Sequence, residues 1–542
     1  MGPLAMKALA PLLLGGVVLA SGAYLAATDR LPFGGPPRVA DLEPATDATV
    51  GVPAPQRSPL GINLAYTHYW ATQQPFVDLF KQSGDWIPQR EGDGRWDTGE
   101  ELDVDERGWI ASLEPGQKAT TLVTWDNGGR YEGGRYVLDF DGKGRVAVFG
   151  DDEGTTSKGG LGLDLKPGSG LRLELLETDP KDPVRDIRIV PAKLKKRAEK
   201  QPFNARFLEL IEPFRALRMM DLQQTNNSPQ VRWEERAHPD DARQTSDRGV
   251  ALELLIDLAN ETERDPWFCV PHQADDDYVR AMAELVKERL DKGRSVYLEY
   301  SNEVWNNQFE QARYAREQGL ELGLSRDGTE AQLRFYSRRS IEVFRIWRDV
   351  FKSQRSRIVR VLAAQSANPW SSEVVLDWND AHDDADVLAI APYFGGNLGG
   401  PEARERVSQM TVEDLLEATA EDLERVLEHV AQHAALTERH DLRLVAYEAG
   451  QHLAGHLGVE NDEVLTRLFQ AANRHERMGA LYQRFFEGWK AAGGDEAFLF
   501  NSIEAYSKWG SWGLLEHQLQ RLDEAPKYQA TLDFIDDQRA WW

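Results

Sequence analysis

The sequence has one cysteine, Cys269, in 542 residues. A single thiol excludes an intrachain disulfide and any cysteine-based metal cluster. Positive charge is scarce as well: 63 lysines and arginines face 89 aspartates and glutamates, a formal net charge of −26. Such a surface repels phosphate backbones and anionic lipid, so nucleic-acid binding is not expected. No GxGxxG or GxxxxGK[ST] loop is present, which removes the dinucleotide and P-loop readings. No HExxH or related zinc spacing occurs, and Gly168-Ser169-Gly170 lacks the spacing of a serine-hydrolase elbow. The acidic stretches 275–277 and 382–386 lack EF-hand ligand spacing and read as solvated loop charge. Neither a metal site nor a cofactor is expected.

Long apolar runs are also few. One uncharged stretch, Ala8 to Ala27, follows Lys7. It reads as a secretory segment, with Ser21 and Ala23 spaced as a cleavage site, or as an uncleaved membrane anchor weakened by its Gly, Pro and Ser content. Residues 1–28 are therefore assigned to export or anchoring, and the Pro- and Gly-rich 29–59 to a flexible linker. Both readings place the protein outside the cytoplasm, periplasmic or extracellular, with membrane contact confined to that segment. A monomer is expected.

What is present is ample apolar residue for a core, 41% of the chain, and 16 tryptophans, which either pack inside or stack on sugar rings. Leu60 to Tyr66 reads as a strand and Pro75 to Lys81 has helical spacing, giving a first strand and helix over 60–83. From 84 to 195 the chain turns Gly-rich, with alternating runs at 119–124, 134–140, 145–149, 171–176 and 187–190. Asn127-Gly128 and Asp141-Gly142 punctuate them. That pattern predicts a small antiparallel β-sandwich.

Over 196–542, apolar strands at 216–222, 267–271, 295–300, 358–363, 387–391, 442–447 and 497–500 alternate with helical runs at 276–292, 332–351, 411–433 and 462–491. Thr411 and Asp414 are spaced as a capping box. Counting the first, eight strands in β-then-α order predict an α/β fold. The expected form is a (β/α)8 TIM barrel, with the β-sandwich inserted after the first helix. A doubly wound sheet is the alternative, and it lacks its phosphate loop.

In a TIM barrel the chemistry sits at the C-terminal strand ends. Strand four runs into Glu299-Tyr300-Ser301-Asn302-Glu303-Val304-Trp305. Period two would put Glu299, Ser301 and Glu303 on one face. Strand seven, Leu444 to Gly450, ends an apolar run on Glu448. Carboxylates atop strands four and seven suit the two-carboxylate cleavage of a glycosidic bond, one acting as acid and one as nucleophile.

EYSNEV and VAYEAG resemble the strand-four and strand-seven motifs of the clan A glycoside hydrolases, family five above all, with Val304 where proline is usual. Arg218 in LRMMD, His272 in FCVPH, Tyr393 in APYF and Trp509 or Trp512 in SKWGSWG resemble that clan's residues at strands two, three, six and eight. The resemblance covers about 340 residues of the chain. It implies a retaining β-glycosidase acting on a polysaccharide or oligosaccharide, with Glu303 as acid/base, Glu448 as nucleophile and Asn302 on the sugar's 2-hydroxyl.

Substrate contacts are further expected from Trp305 and Tyr66. His68 and Trp70 end the same strand as Tyr66, and for all three core packing is the other reading. His272 is either a site residue or a satisfied buried histidine. Glu299 is read as structural and paired with Arg218, which would also hold Glu448 ionised. A transglycosylase would use the same residues, and a non-catalytic carbohydrate-binding protein is the reading from a different class.

Overall fold

The structure, a computed structural model, describes residues 58–125 and 130–542. The expected export segment, nearly all of the expected linker and the Asn127-Gly128 turn lie outside the described residues. The chain enters on β1 (Leu60–Asn63), a fully buried strand. Ten short antiparallel strands follow: β2 (Ile87–Arg90), β3 (Asp103–Val104), β4 (Ile110–Ser112), β5 (Gln117–Thr124), β6 (Gly134–Asp141), β7 (Gly144–Phe149), β8 (Gly154–Thr156), β9 (Leu161–Leu165), β10 (Leu171–Thr178) and β11 (Arg185–Pro191).

The remainder alternates strand and helix. Helix α1 (Ala205–Ile211) leads to β12 (Ala216–Arg218), α2 (Leu252–Thr262) to β13 (Asp265–Val270), and α3 (Asp276–Arg289) to β14 (Val296–Tyr300). Then come α4 (Glu310–Glu321), α5 (Gly328–Phe351), β15 (Ile358–Ala363), α6 (Pro369–Asp377), β16 (Val387–Ile390) and the two-residue β17 (Tyr393–Phe394). The chain ends with α7 (Arg404–Val407), α8 (Val412–Arg439), β18 (Arg443–Gln451), α9 (Glu463–Arg474), α10 (Glu476–Ala491), β19 (Ala497–Leu499) and α11 (Pro526–Asp537).

The eight strands β1, β12, β13, β14, β15, β16, β18 and β19 pair in parallel in that order. β16 bonds to β18, and β19 returns to β1, closing the sheet. The protein is a (β/α)8 barrel. Its strands are near-continuous apolar runs because both faces are covered, the inner by the barrel core and the outer by helices. Register sets the polar strand ends level: Asn63 lies beside Arg218, and Arg218 beside Trp267.

The inserted region forms a sheet in the order β2-β5-β10-β7-β8 and a second in the order β11-β6-β9. Alternate residues of both sheets, among them Leu138, Leu163, Ile189, Val146, Val148, Leu173 and Leu175, share one buried cluster. Leu79 and Phe80 belong to this cluster, while Phe76 packs on Phe203 in the barrel core, and the stretch does not form the expected barrel helix. Residues Leu79–Gln82 make a single 3-10 turn capped by Asp78, and Leu79 and Phe80 pack into the sandwich core. The first barrel helix is α1, capped by Asn204. The insertion therefore lies between β1 and α1, before the first helix.

Polar contacts hold this turn on the sandwich through Asp78 and on the loop after β12 through Lys81. The Ile189 amide donates to Asp78 Oδ1 at 2.8 Å, and Lys81 Nζ donates to the carbonyls of Pro239 and Asp241 at 2.7 and 3.1 Å. Ala242, from the loop after β12, enters the sandwich core.

The expected helical run at 462–491 is two helices. His475 is extended (φ −77°, ψ 140°), and its ring accepts the Arg477 amide at the start of α10. Thr411 and Asp414 do form a reciprocal capping box at the start of α8. No helix among the described residues is long and apolar enough to cross a membrane.

Candidate active site

Arg218 ends β12 and is fully buried. Burial opposes its charge, and carboxylates answer it. Nη1 donates to Glu448 Oε1 at 2.7 Å and to Asn63 Oδ1 at 3.0 Å; Nη2 donates to Glu299 Oε2 at 2.9 Å and to Asn302 Oδ1 at 2.7 Å. One guanidinium thus ties together the tips of strands one, two, four and seven, and its planar fork fits such multiple acceptance. Its rigid surroundings come from Trp267 and Tyr447, whose ring centroids lie 5.2 and 5.0 Å from the guanidinium carbon.

Glu448 is 1% exposed. Tyr393 Oη donates to its Oε2 at 3.0 Å. Tyr393 is brought there by β17, which pairs with Gly450 and Gln451 just beyond Glu448. Burial raises the Glu448 pKa, while Arg218 and the Tyr393 hydroxyl oppose the rise.

Glu303 is also 1% exposed, and it lacks a cation partner. Tyr447 Oη donates to its Oε1 at 2.9 Å and Asn306 Nδ2 to its Oε2 at 2.8 Å. Burial, and then the negative charge of Glu448, push its pKa up to about 8. The cause is visible in the charge count. Arg218 already pairs with two carboxylates, so a third negative charge in the same desolvated space is opposed only by the Asn306 and Tyr447 hydrogen bonds and, last, by Arg218 at longer range.

Local backbone explains how these side chains converge. β14 stops at Tyr300, so the expected period-two face of Glu299, Ser301 and Glu303 does not exist. Ser301 and Glu303 instead adopt left-handed conformations, φ 60° and 41°. That turn delivers Glu303 to the barrel mouth while Glu299 stays beneath Arg218. Non-glycine residues held at positive φ carry strain that surrounding structure must sustain, and they concentrate at functional sites. In β18 the register with β19 shifts between Ala446 and Ala449. A bulge of this kind re-aims neighbouring side chains, so Tyr447 and Glu448, adjacent in sequence, both reach the site.

The remaining expected residues divide. Asn302 is buried, receives Arg218 on Oδ1 and donates through Nδ2 to Asn226 Oδ1 at 3.0 Å. Trp512 is buried against Tyr393, His452 and Phe500. Trp509 is 39% exposed with Lys508 over its ring, so the two tryptophans separate into one beside the carboxylate network and one on the surface. The aromatic that directly follows strand eight is Phe500; both tryptophans come from the loop beyond it.

Trp305 packs half-buried on the barrel core. Tyr66 accepts from Trp70 Nε1 at 3.4 Å, and His68 stacks on Trp70 at 3.3 Å, an aromatic group at the start of the inserted region. His272 is buried with its ring edge-on to Tyr314; no hydrogen bond joins it to either carboxylate, and burial lowers its pKa to about 4.

Sequence reasoning missed Asn63, Asn226, Asn306 and Tyr447, which hold the expected residues in place. It also missed Asp221, three positions after Arg218, and Glu504, after strand eight. Burial raises both carboxyls, Glu504 to about 7, and Glu504 and then Glu448 raise Asp221 further. A polar residue at a strand tip was the available signal for Asn63. Tyr447 gave none, because only the bulge turns it inward.

No family model matches the sequence, and no curated protein matches it. Solved glycoside hydrolases are among its structural neighbours. A 4-O-α-L-rhamnosyl-β-D-glucuronidase from Fusarium oxysporum 12S is 11% identical with a TM-score of 0.38, over 58% of this chain and 61% of that one. A β-galactosidase from the psychrophilic Marinomonas ef1 is 12% identical with a TM-score of 0.36, over 61% and 56%. A modular endo-β-1,4-mannanase from Cellulomonas fimi is 12% identical with a TM-score of 0.31, over 52% and 56%. The chain thus spans less than two thirds of the length of each.

Proposed function

We propose that the protein is an exported retaining glycoside hydrolase that cleaves β-glycosidic bonds in a polysaccharide or oligosaccharide. The observation that carries this reading is the unequal treatment of two buried carboxyls. Burial raises the pKa of both, but Glu448 lies on Arg218 and Tyr393, which oppose the rise, whereas Glu303 has no ion-pair partner and is pushed up to about 8 by burial and by the charge of Glu448. Two carboxyls whose surroundings separate their proton affinities can serve as nucleophile and acid at one pH.

In the first step Glu448 attacks the anomeric carbon while Glu303 protonates the departing glycosidic oxygen, leaving a glycosyl ester on Glu448 and an ionised Glu303. Glu303 then takes a proton from water as that water displaces the ester, so both carboxyls return to their starting states. We assign Asn302, which Arg218 and Asn226 hold, to a sugar hydroxyl. The N-terminal apolar segment is the basis for export, and fractionation of expressing cells should find the chain outside the cytoplasm.

Digestion of a panel of β-glycans, read by mass spectrometry, tests the reading. At least one glycan should be cut by the protein and left intact by Glu448→Ala. A glycan that binds tightly and is never cut would instead identify a carbohydrate-binding protein.

A further inference from the structure

We propose that Asp377, His382 and His440 form a binding site for a divalent late first-row transition ion, of the Zn²⁺ class, on the barrel face opposite the carboxyl pair. Asp377 ends α6, His382 lies in the 3-10 segment Trp378–Asp384 that leads into β16, and His440 follows α8 just before β18. All three therefore sit where strands begin, away from the catalytic ends. One ligand atom from each lies within 4.8 Å of the other two.

The donor chemistry fits. His440 Nε2 is 3.3 Å from Asp377 Oδ1, and the two imidazole rings are 4.3 Å apart between centroids. His382 Nδ1 lies 3.0 Å from the Leu376 carbonyl oxygen. A carbonyl only accepts, so that nitrogen carries the hydrogen and the Nε2 lone pair is free. An imidazole anchored through its second nitrogen to a backbone carbonyl is the usual support of a metal-bound histidine. Around a tetrahedral ion with bonds of about 2.0–2.2 Å, ligand atoms stand roughly 3.3–3.6 Å apart. The Asp377–His440 pair already has that spacing. Asp383 Oδ1 lies 3.7 Å from His382 Nε2 but is not one of the three mutually close groups, so the fourth position would fall to water.

Charge pairing singles out the same residues. In the neighbouring acidic stretch, Asp384 is held by Arg345 and Arg348 at 3.0 and 3.1 Å, and Asp386 by Arg360 at 2.7 Å. Among the described residues no lysine or arginine pairs with Asp377 or Asp383. Two imidazole nitrogens select a zinc-like ion over Ca²⁺ or Mg²⁺, which prefer all-oxygen sites. The ion would pin the end of α6 to the end of α8.

The test uses the full chain stripped with a chelator. Titration with ZnCl₂ by calorimetry should find one ion per chain and a raised melting temperature, and CoCl₂ should give the intense visible bands of four-coordinate cobalt. His382→Ala and His440→Ala should each weaken zinc binding at least tenfold, in line with a lost ligand. Asp377→Asn, which keeps the shape, should weaken it too and stands in if a histidine variant loses its far-UV circular dichroism. The proposal is overturned if the wild type takes up no stoichiometric zinc, or if Asp377→Asn and the histidine variants bind it as the wild type does.

Discussion

The barrel mouth and the inserted sandwich bury side chains by opposite rules. In the sandwich the main buried cluster is aliphatic and aromatic, and the buried carboxylate of Glu174 is met by Lys118 at 2.8 Å and Arg172 at 3.2 Å, both reaching in from solvent. At the mouth, Arg218, Glu299, Glu303 and Glu448 are all at 1% exposure or less, with one cation among three carboxyls. The sandwich is arranged for stability. The mouth holds groups that a stability-only design would avoid, and it holds them with a left-handed turn at Glu303, a bulge at Tyr447 and a ring of asparagines. Charge burial at that density is the physical signature of a site.

The sharpest way to break this contrast is to remove the cation. Arg218→Met should cost about 3–5 kcal/mol, because Glu299 and Glu448 are left buried without a cation; denaturant unfolding measures it. Leu173→Ala, at a fully buried sandwich position, should cost about 3 kcal/mol by opening a cavity, yet leave the pH profile of the proposed glycan cleavage unchanged. If the two variants altered activity alike, the division of labour between the regions would fail.

Glu303→Gln should act in the opposite direction. A carboxyl whose folded pKa lies above its unfolded value contributes stability that is complete below the unfolded pKa and is lost as pH rises through about 8. The glutamine variant should therefore be more stable than the wild type at pH 8, and the difference should vanish below about pH 4. Equal urea midpoints at pH 8 would contradict the raised pKa. The smallest expected effect lies far from the mouth: Thr411→Ala removes the cap of α8 and should cost about 1 kcal/mol in thermal unfolding without touching activity.

The same contrast explains what could be read from the sequence. Alternation and turn dipeptides exposed the sandwich strands, and apolar runs at regular spacing exposed all eight barrel strands, because both signals are local. The strand-tip carboxyls Glu303 and Glu448 were legible for the same reason. What escaped needed contacts across the fold. Phe76, Leu79 and Phe80 imitate one face of a barrel helix, yet Leu79 and Phe80 pack into a sandwich core assembled from residues far along the chain. Tyr447 is turned inward by a register shift that depends on β19. His382 and His440 are 58 positions apart and meet only because two helices end at one corner.

Azide rescue of the two carboxyl variants tests the central assignment most directly. On a cleaved β-glycoside with a good leaving group, Glu303→Ala should still form the glycosyl-enzyme, and azide should convert it to a β-azide product. Glu448→Ala should be nearly inactive alone, and azide filling the vacated nucleophile position should give the α-azide. The account predicts these opposite anomers from the two variants. The same anomer from both, or near-normal hydrolysis by Glu448→Ala without azide, would contradict it.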